Sequence, residues 1–474
     1  MPRVTHHYDL VVVGRDLAGL AAAALVARRG KRVLVVPGGP LVGRGRCIDR
    51  DVLLDPAPLP WIESPPVHAV LREVGLATQV GRRIRRRRGL QQLVRDRARF
   101  EWPANGSPPW PTPEPTEGAP PWHALANLAL DERSGPFASR RSAERAGRLA
   151  RTGSLPASDD ALALLDAYAP FVTGLAGPAL PTAVRAGLWA NLLPSAVDLE
   201  GGEARLREDL IKMLELHGGE VRPDLRIEGF TLRRGRIDAV HFAGRTAAFG
   251  AEHVAVADVD LARSGLGDAP IVAPERAPDL ARRFTMVVEV EPAGVGPGPG
   301  DHLVIEAPLF GTAQGASGAC LLDVDRRHED RVVLHVAALV APGADLQRIR
   351  EDVLAFLDAH AILPFVGEHV RWCASAHDGR PPTDGDGRPL PSVSNRPAPR
   401  PVAMVPVLAP ADPLAGGVAL APTRTGVRNL YLCCSLNLPA LGLSGSFAAA
   451  HLVAGIVAEP ARSALSKRPL LRRT

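Results

Sequence analysis

Apolar positions near the start of the chain come in two short unbroken runs, Leu10-Val-Val-Val13 and Val33-Leu-Val-Val36. Runs of this length and composition, bounded by polar residues, read as strands buried on both faces, the pattern of a parallel sheet. The alanine-dense stretch between them, Leu17 to Arg29, reads as the helix that packs on that sheet. Val67-His-Ala-Val-Leu-Arg-Glu-Val-Gly75 reads as a short amphipathic helix with a glycine stop. Further on, Gly201-Gly202 leads a helix with Leu206, Leu210, Met213 and Leu214 at helical spacing, which ends at Gly218-Gly219. Strands Glu220-Val-Arg, Arg226 to Leu232 and Ile237 to Phe242 follow, the last two joined by a turn at Arg233-Arg-Gly235-Arg. The chain closes with an alanine-rich helix and a basic tail.

This pattern predicts an α/β fold with a Rossmann-like unit assembled from three separated pieces, 1–75, 195–265 and 405–474. Segments 76–194 and 266–404 are expected to form a second, α+β substrate-type or partner-binding domain. Pro103 to Trp122 carries eight prolines and reads as a loop, as does the Pro/Gly/Asp-rich stretch His377 to Pro401. Asp384-Gly-Asp386-Gly lacks the bidentate glutamate of a calcium loop, so it reads as a surface turn. His6 and His7 read as a disordered terminus, and His68, His217 and His451 as helix residues.

The turn after the first strand carries the opening chemistry. In a dinucleotide fingerprint G-x-G-x-x-G, the glycines turn the chain, admit the pyrophosphate and pack helix on strand. Here the segment is Gly14-Arg15-Asp16-Leu-Ala-Gly19, so the middle glycine is an aspartate. The acidic residue expected at the end of the second strand, which would hold a ribose, is Pro37. The fold signal is intact and the cofactor signal is damaged.

Composition sets outer bounds. A chain of 474 residues, 46% apolar and 23% charged, suits a globular protein of two or three units. No uninterrupted apolar run approaches the ~18 residues of a membrane span, and the first strand follows the N-terminus too closely for a signal peptide. A cytoplasmic protein is therefore expected, with a possible peripheral contact to membrane. The five cysteines (47, 320, 373, 433, 434) show no metal-ligand spacing, and Cys433-Cys434 read as small buried residues. The net charge of +5 comes from arginine, since only Lys31, Lys212 and Lys467 are lysines. Its densest run is Arg82-Arg83-Ile84-Arg85-Arg86-Arg87-Arg88, which suits either an anionic lipid or acidic partner, or a solvated strand or loop. Without interleaved aromatics it does not read as a nucleic-acid site.

Four ordered segments together resemble the flavoprotein superfamily of phytoene desaturases, protoporphyrinogen oxidases and amine oxidases. The first is the opening βαβ unit. The second is Gly43-Arg44-Gly45-Arg46, which looks like the Gly-Gly-Arg loop beneath the flavin. The third is Gly201 to Val221, resembling the helix and strand beside the adenine. The fourth, Asn429 to Gly445, aligns on the closing motif that turns into the last helix, with Gly442 and Gly445 in place. The resemblance implies FAD as cofactor, held by Gly14, Arg15, Asp16, Gly19, Pro37, Gly45, Arg46, Val221, Cys434, Ser435, Gly442 and Gly445. Several of these depart from the family pattern: Cys434 replaces a glycine, and Ser435 takes a usually acidic place.

Magnitudes turn these departures into an expectation. A carboxylate about 4 Å from a phosphate costs roughly 1 kcal/mol in water and about 4 kcal/mol at an effective dielectric of 20. Lost ribose hydrogen bonds forfeit roughly 1.5–3 kcal/mol more, which together amount to on the order of 10³-fold in affinity. Weakened or lost FAD binding is expected. The same superfamily holds Rab GDP-dissociation inhibitors, which bind prenylated GTPases without redox chemistry. Two readings follow: a non-catalytic, flavin-deficient homologue that binds a partner protein or apolar ligand, or an FAD-dependent desaturase or oxidase acting on an apolar, isoprenoid-like substrate. No lysine sits where amine-oxidase relatives place one near the flavin, which disfavours amine oxidation, and no catalytic residue is assigned.

Overall fold

The computed structural model describes residues 4–39, 41, 44–47, 50–53, 62–87, 92–95, 98–101, 121–130, 140–153, 155, 159–192, 196–244, 248–265, 270–296, 300–312, 317–390 and 401–458. Two large sheets organise them. In the first, the opening strand Val4–Gly14 lies between Val33–Val36 and Ala248–Ala257, parallel to both, and Leu430–Leu432 adds to the far side of Ala248–Ala257. The hairpin Ile227–Arg233 and Arg236–Phe242 closes one edge and Glu220–Val221 the other. That hairpin turns through Arg234 and Gly235, both at positive φ, which matches the primed turn that a right-handed strand twist favours. Leu10 to Val13 and Val33 to Val36 are all buried because helices cover the sheet, as doubly wound parallel sheets require.

The helix Leu17–Arg28 has no polar face: every residue from Leu17 to Ala27 is buried. It lies between the sheet, the Gly202–Leu216 helix and the closing helix Gly442–Val457, so amphipathic patterning gives way to continuous burial. Taken with the 3₁₀ turn before it, Pro439–Val457 is long and apolar enough to cross a membrane by length and composition. It is nevertheless 67% buried inside the protein, and its packing against the opening helix makes it a core element.

The second sheet runs in the order Val370–Ser375, Asp279–Val290, Val332–Val340, Ser317–Asp325, His302–Pro308, Gln92–Arg95 and Ala98–Glu101. All its pairings are antiparallel except that of His302–Pro308 with Gln92–Arg95. Val405–Leu408, placed by the sequence at the start of the last Rossmann piece, instead pairs with the first half of Asp279–Val290. It carries the chain back from the second sheet toward the first.

Three local expectations need correction. His6 and His7 lie in the opening strand, where they pair with Phe249 and Gly250, and the His6 ring meets Phe249 edge-on at 5.3 Å. Polarity at the terminus hid a sheet partner far along the chain, at Phe249 and Gly250. Pro121 and Trp122 begin the helix Pro121–Leu130 instead of ending the proline-rich loop; proline is favoured in a first helical turn. The rest of that loop, 103–120, lies outside the described residues. Arg44–Cys47, read as a loop, pairs with Arg50–Leu53 as a small antiparallel ribbon.

The two surviving fingerprint glycines are required by packing. Gly14 has φ +111°, and a Cβ there would lie 2.3 Å from the Ala257 carbonyl oxygen. At Gly19 a Cβ would lie 2.2 Å from the Ala257 Cβ. An ordinary helical Gly→Ala change gains about 1 kcal/mol; Gly19→Ala is expected to lose roughly 1–3 kcal/mol through overpacking, measured as a lower midpoint in denaturant unfolding.

Candidate functional site

Parallel α/β sheets gather ligands at the carboxyl ends of their strands. Those ends converge here: Gly14 to Asp16, Pro37, Asp258 and Cys433 to Ser435 follow directly on four strands. Asp16 is the N-cap of Leu17–Arg28, and its Oδ1 accepts the Ala18 N–H at 2.9 Å. That alone is an ordinary helix cap. The second oxygen goes further, with Oδ2 accepting the backbone N–H of Ser435 at 2.9 Å, across 419 residues of sequence. Burial pushes the Asp16 carboxyl above its usual range, opposed by the two N–H donors and by the Arg207 guanidinium. One carboxylate thus bridges the first helix and the closing motif.

A chain of ions continues from it. Arg207, on the Gly202–Leu216 helix, pairs with Glu203 one turn earlier and donates to the Arg15 carbonyl. Arg283, on the second sheet and 6% exposed, donates to the Phe171 carbonyl at 2.9 Å and pairs with Glu203 at 3.5 Å. Glu203 therefore stands between Arg207 of its own helix and Arg283 of the second sheet, and links the Gly202–Leu216 helix to that sheet. Such part-buried pairs fix geometry more than they add stability.

Two small cavities remain beside Asp16. One of about 100 Å³ touches Phe171, Glu203, Arg207, Arg283 and Ser446. The other, of about 80 Å³, touches Arg15, Asp258, Met404 and Ser435. Small-molecule sites span roughly 300–1,000 Å³.

The folded chain brings Gly14, Arg15, Asp16, Gly19, Cys434, Ser435, Gly442 and Gly445 to this region. Gly445 lies against the backbone of Leu438, where a Cβ would come within 2.1 Å of its carbonyl oxygen. Cys434 and its neighbour Cys433 are fully buried, and burial raises both thiols well above their usual range. Pro37 is buried at the end of its strand, and Val221 is half-buried at the sheet edge. Gly45 and Arg46 lie on the Arg44–Cys47 strand, with side chains outside the described residues. Sequence reading missed Glu203, Arg207 and Arg283. The first two look like a helix-surface pair at i, i+4. The one available signal for Arg283 was two adjacent arginines leading into an apolar strand.

The architecture has clear counterparts among solved structures. Putrescine oxidase bound to putrescine is similar with a TM-score of 0.56 and 14% identity, over 95% of this chain and 99% of that one. Cyclohexylamine oxidase from Brevibacterium oxydans IH-35A gives 0.54 and 15%, over 96% and 99%. An oxidoreductase from Methanosarcina mazei gives 0.52 and 13%, over 92% and 98%. The chain has the fold of the FAD-dependent oxidoreductases. No protein-family model matches the sequence, and no curated protein matches it significantly.

Within that flavoprotein fold, the described residues do not fit a diphosphate at the first turn. The Ala18 and Ser435 N–H groups, which an anion there would need, already donate to Asp16. The N-terminus of the first helix, a place where anions commonly bind, is capped by the Asp16 carboxylate.

Proposed function

We propose that this protein is a flavin-free, non-catalytic relative of the FAD-dependent oxidoreductase fold, and that its scaffold binds a partner protein or an apolar ligand. The observation that carries this reading is the Asp16 bridge: a side chain supplies, from within, the negative charge that the turn and the closing motif would otherwise take from a phosphate. The ion chain through Arg207, Glu203 and Arg283 supports it. Among the described residues, neither lysine supports amine oxidation. Lys31 pairs with Asp9, and Lys212 is exposed on its helix. The apolar side chains Leu17, Phe171, Val172, Leu408 and Leu443 line the larger cavity beside the charged Asp16, Glu203, Arg207 and Arg283, which offers an apolar guest a surface next to the ion chain.

Native purification followed by visible spectroscopy and titration with FAD tests the proposal. The expected protein is colourless and shows no saturable binding up to roughly hundreds of micromolar FAD. A yellow preparation with stoichiometric FAD would end this reading. It would favour the second one, an oxidoreductase or desaturase with rewired cofactor contacts, which the fold match over nearly the whole chain supports.

A further inference from the structure

The helix Arg140–Ala150 carries a face that the cleft does not use. Ser142, Ala146, Gly147 and Ala150 are buried. Backbone meets backbone there: a Cβ on Gly416 would lie 2.8 Å from the Gly147 Cα, so small residues let the helix sit directly on the Ala415–Gly417 turn. This fixes the rotation of the helix. Arg140, Arg141, Arg145 and Arg148 then point outward, and exposed Arg151 extends the same ridge in the turn that follows.

Elsewhere, arginines in this protein are commonly matched by carboxylates, as in Arg29 with Glu73, Arg83 with Asp209, Arg185 with Asp166 and Arg263 with Asp279. On this ridge only Arg140 has such a partner, Glu144 at 2.9 Å. Among the described residues, Arg141, Arg145, Arg148 and Arg151 pair with no carboxylate. By contrast, Arg83 of the arginine run at 82–88 is held by Asp209, Arg82 is exposed, and the side chains of Arg85 to Arg88 lie outside the described residues.

We propose that the ridge formed by Arg141, Arg145, Arg148 and Arg151 docks the protein on an anionic phospholipid surface. Guanidinium groups match phosphate oxygens in a bidentate fork. A row of four along one helix face and the turn after it suits a plane of headgroups. Single-stranded nucleic acid would call for a basic groove with aromatic stacking platforms, and residues 140–151 contain no aromatic side chain. The proposal does not depend on what the cleft binds.

The test is co-sedimentation of the full chain with phosphatidylcholine vesicles, with and without phosphatidylserine, at low and high salt. Binding is expected only with phosphatidylserine and is expected to fade as salt screens it. Each basic residue at such a surface contributes about fivefold in affinity. The quadruple variant R141Q/R145Q/R148Q/R151Q should therefore bind more weakly by on the order of several hundredfold. A control with the same charge loss elsewhere, R348Q/R388Q/R424Q/R428Q, should stay within a few-fold of wild type, and circular dichroism should show both variants folded. Equal loss in both variants, or no loss in the ridge variant, overturns the proposal. So does tighter ridge-dependent binding to RNA or to an acidic polypeptide than to the vesicles.

Discussion

Asp16→Gly is expected to turn a protein indifferent to phosphates into one that binds them. Removing the carboxylate frees the Ala18 and Ser435 N–H groups, which now donate to it at 2.9 Å each. It also deletes a like charge worth roughly 1–4 kcal/mol against an incoming phosphate. The gain carries a cost: glycine keeps most of the N-cap preference, but the part-buried Ser435 N–H loses its partner, at about 1–3 kcal/mol. At the entropy of unfolding of a chain this long, that lowers the thermal midpoint by about 1–3 °C. Pyrophosphate should recover the loss in the variant, with a shift that follows RT ln(1 + [L]/Kd), and should leave wild type unmoved. FAD should bind Asp16→Gly weakly, because Pro37 offers no acceptor to a ribose, and more tightly once Pro37→Glu is added. If Asp16→Gly ignores pyrophosphate as wild type does, the carboxylate is only a helix cap.

That outcome bears on how much of this protein its sequence discloses. The opening βαβ unit was legible because burial on both faces leaves short, β-branched apolar runs bounded by polar and turn residues, with an alanine-dense helix between them. The Gly75 stop was legible because a left-handed C-cap at φ 87° selects glycine. At Asp16 the sequence showed an obstacle to a phosphate, but not that the obstacle had found two donors of its own. One of those donors, Ser435, lies 419 residues away, and only the closed sheet brings it near. Arg283 illustrates the same limit. Its position in an apolar strand marks it as unusual, yet its partner Glu203 belongs to a helix of the other half. Contacts inside one element follow from periodicity, whereas contacts between halves follow from topology, which a single sequence encodes only weakly.

The motif positions invite a related distinction. Gly14, Gly19 and Gly445 each face an atom closer than 2.5 Å from where a Cβ would stand. The fold needs them with or without a nucleotide. Position 16 is different, because the middle glycine of the fingerprint serves the approach of the pyrophosphate. Three glycines kept by packing therefore say little about flavin, and the replaced one says most. This is why a strong fold resemblance and a damaged cofactor signal coexist in one motif.

The largest loss of stability is expected from Asp378→Ala. Arg350 and Asp378 are almost wholly inaccessible and meet through two hydrogen bonds of 2.6 and 2.7 Å. The remaining Arg350 donors reach the carbonyls of Cys373, Arg380 and Pro381, so the guanidinium gathers the start of the 377–401 loop against the Ile349–Ala359 helix. Deleting one member of such a pair strands the other charge, at about 3–5 kcal/mol, a large share of the ~5–15 kcal/mol that holds a typical domain. The effect should reach the cleft. His377 Nδ1 lies 2.8 Å from the Val402 carbonyl, and the Val402 N–H donates to Ala376, so the anchored loop delivers residues 402–406 to the cavity walls. Asp378→Ala should lower the denaturant midpoint and speed amide exchange at Val405 and Val407, and Arg350→Met should do the same. The double variant R350M/D378A should be less destabilised than the two single losses added together, because neither charge is then left alone. Strict additivity, with exchange at Val405 and Val407 unchanged, would show instead that the three carbonyls hold the loop and that the ion pair is incidental to the shape of the cleft.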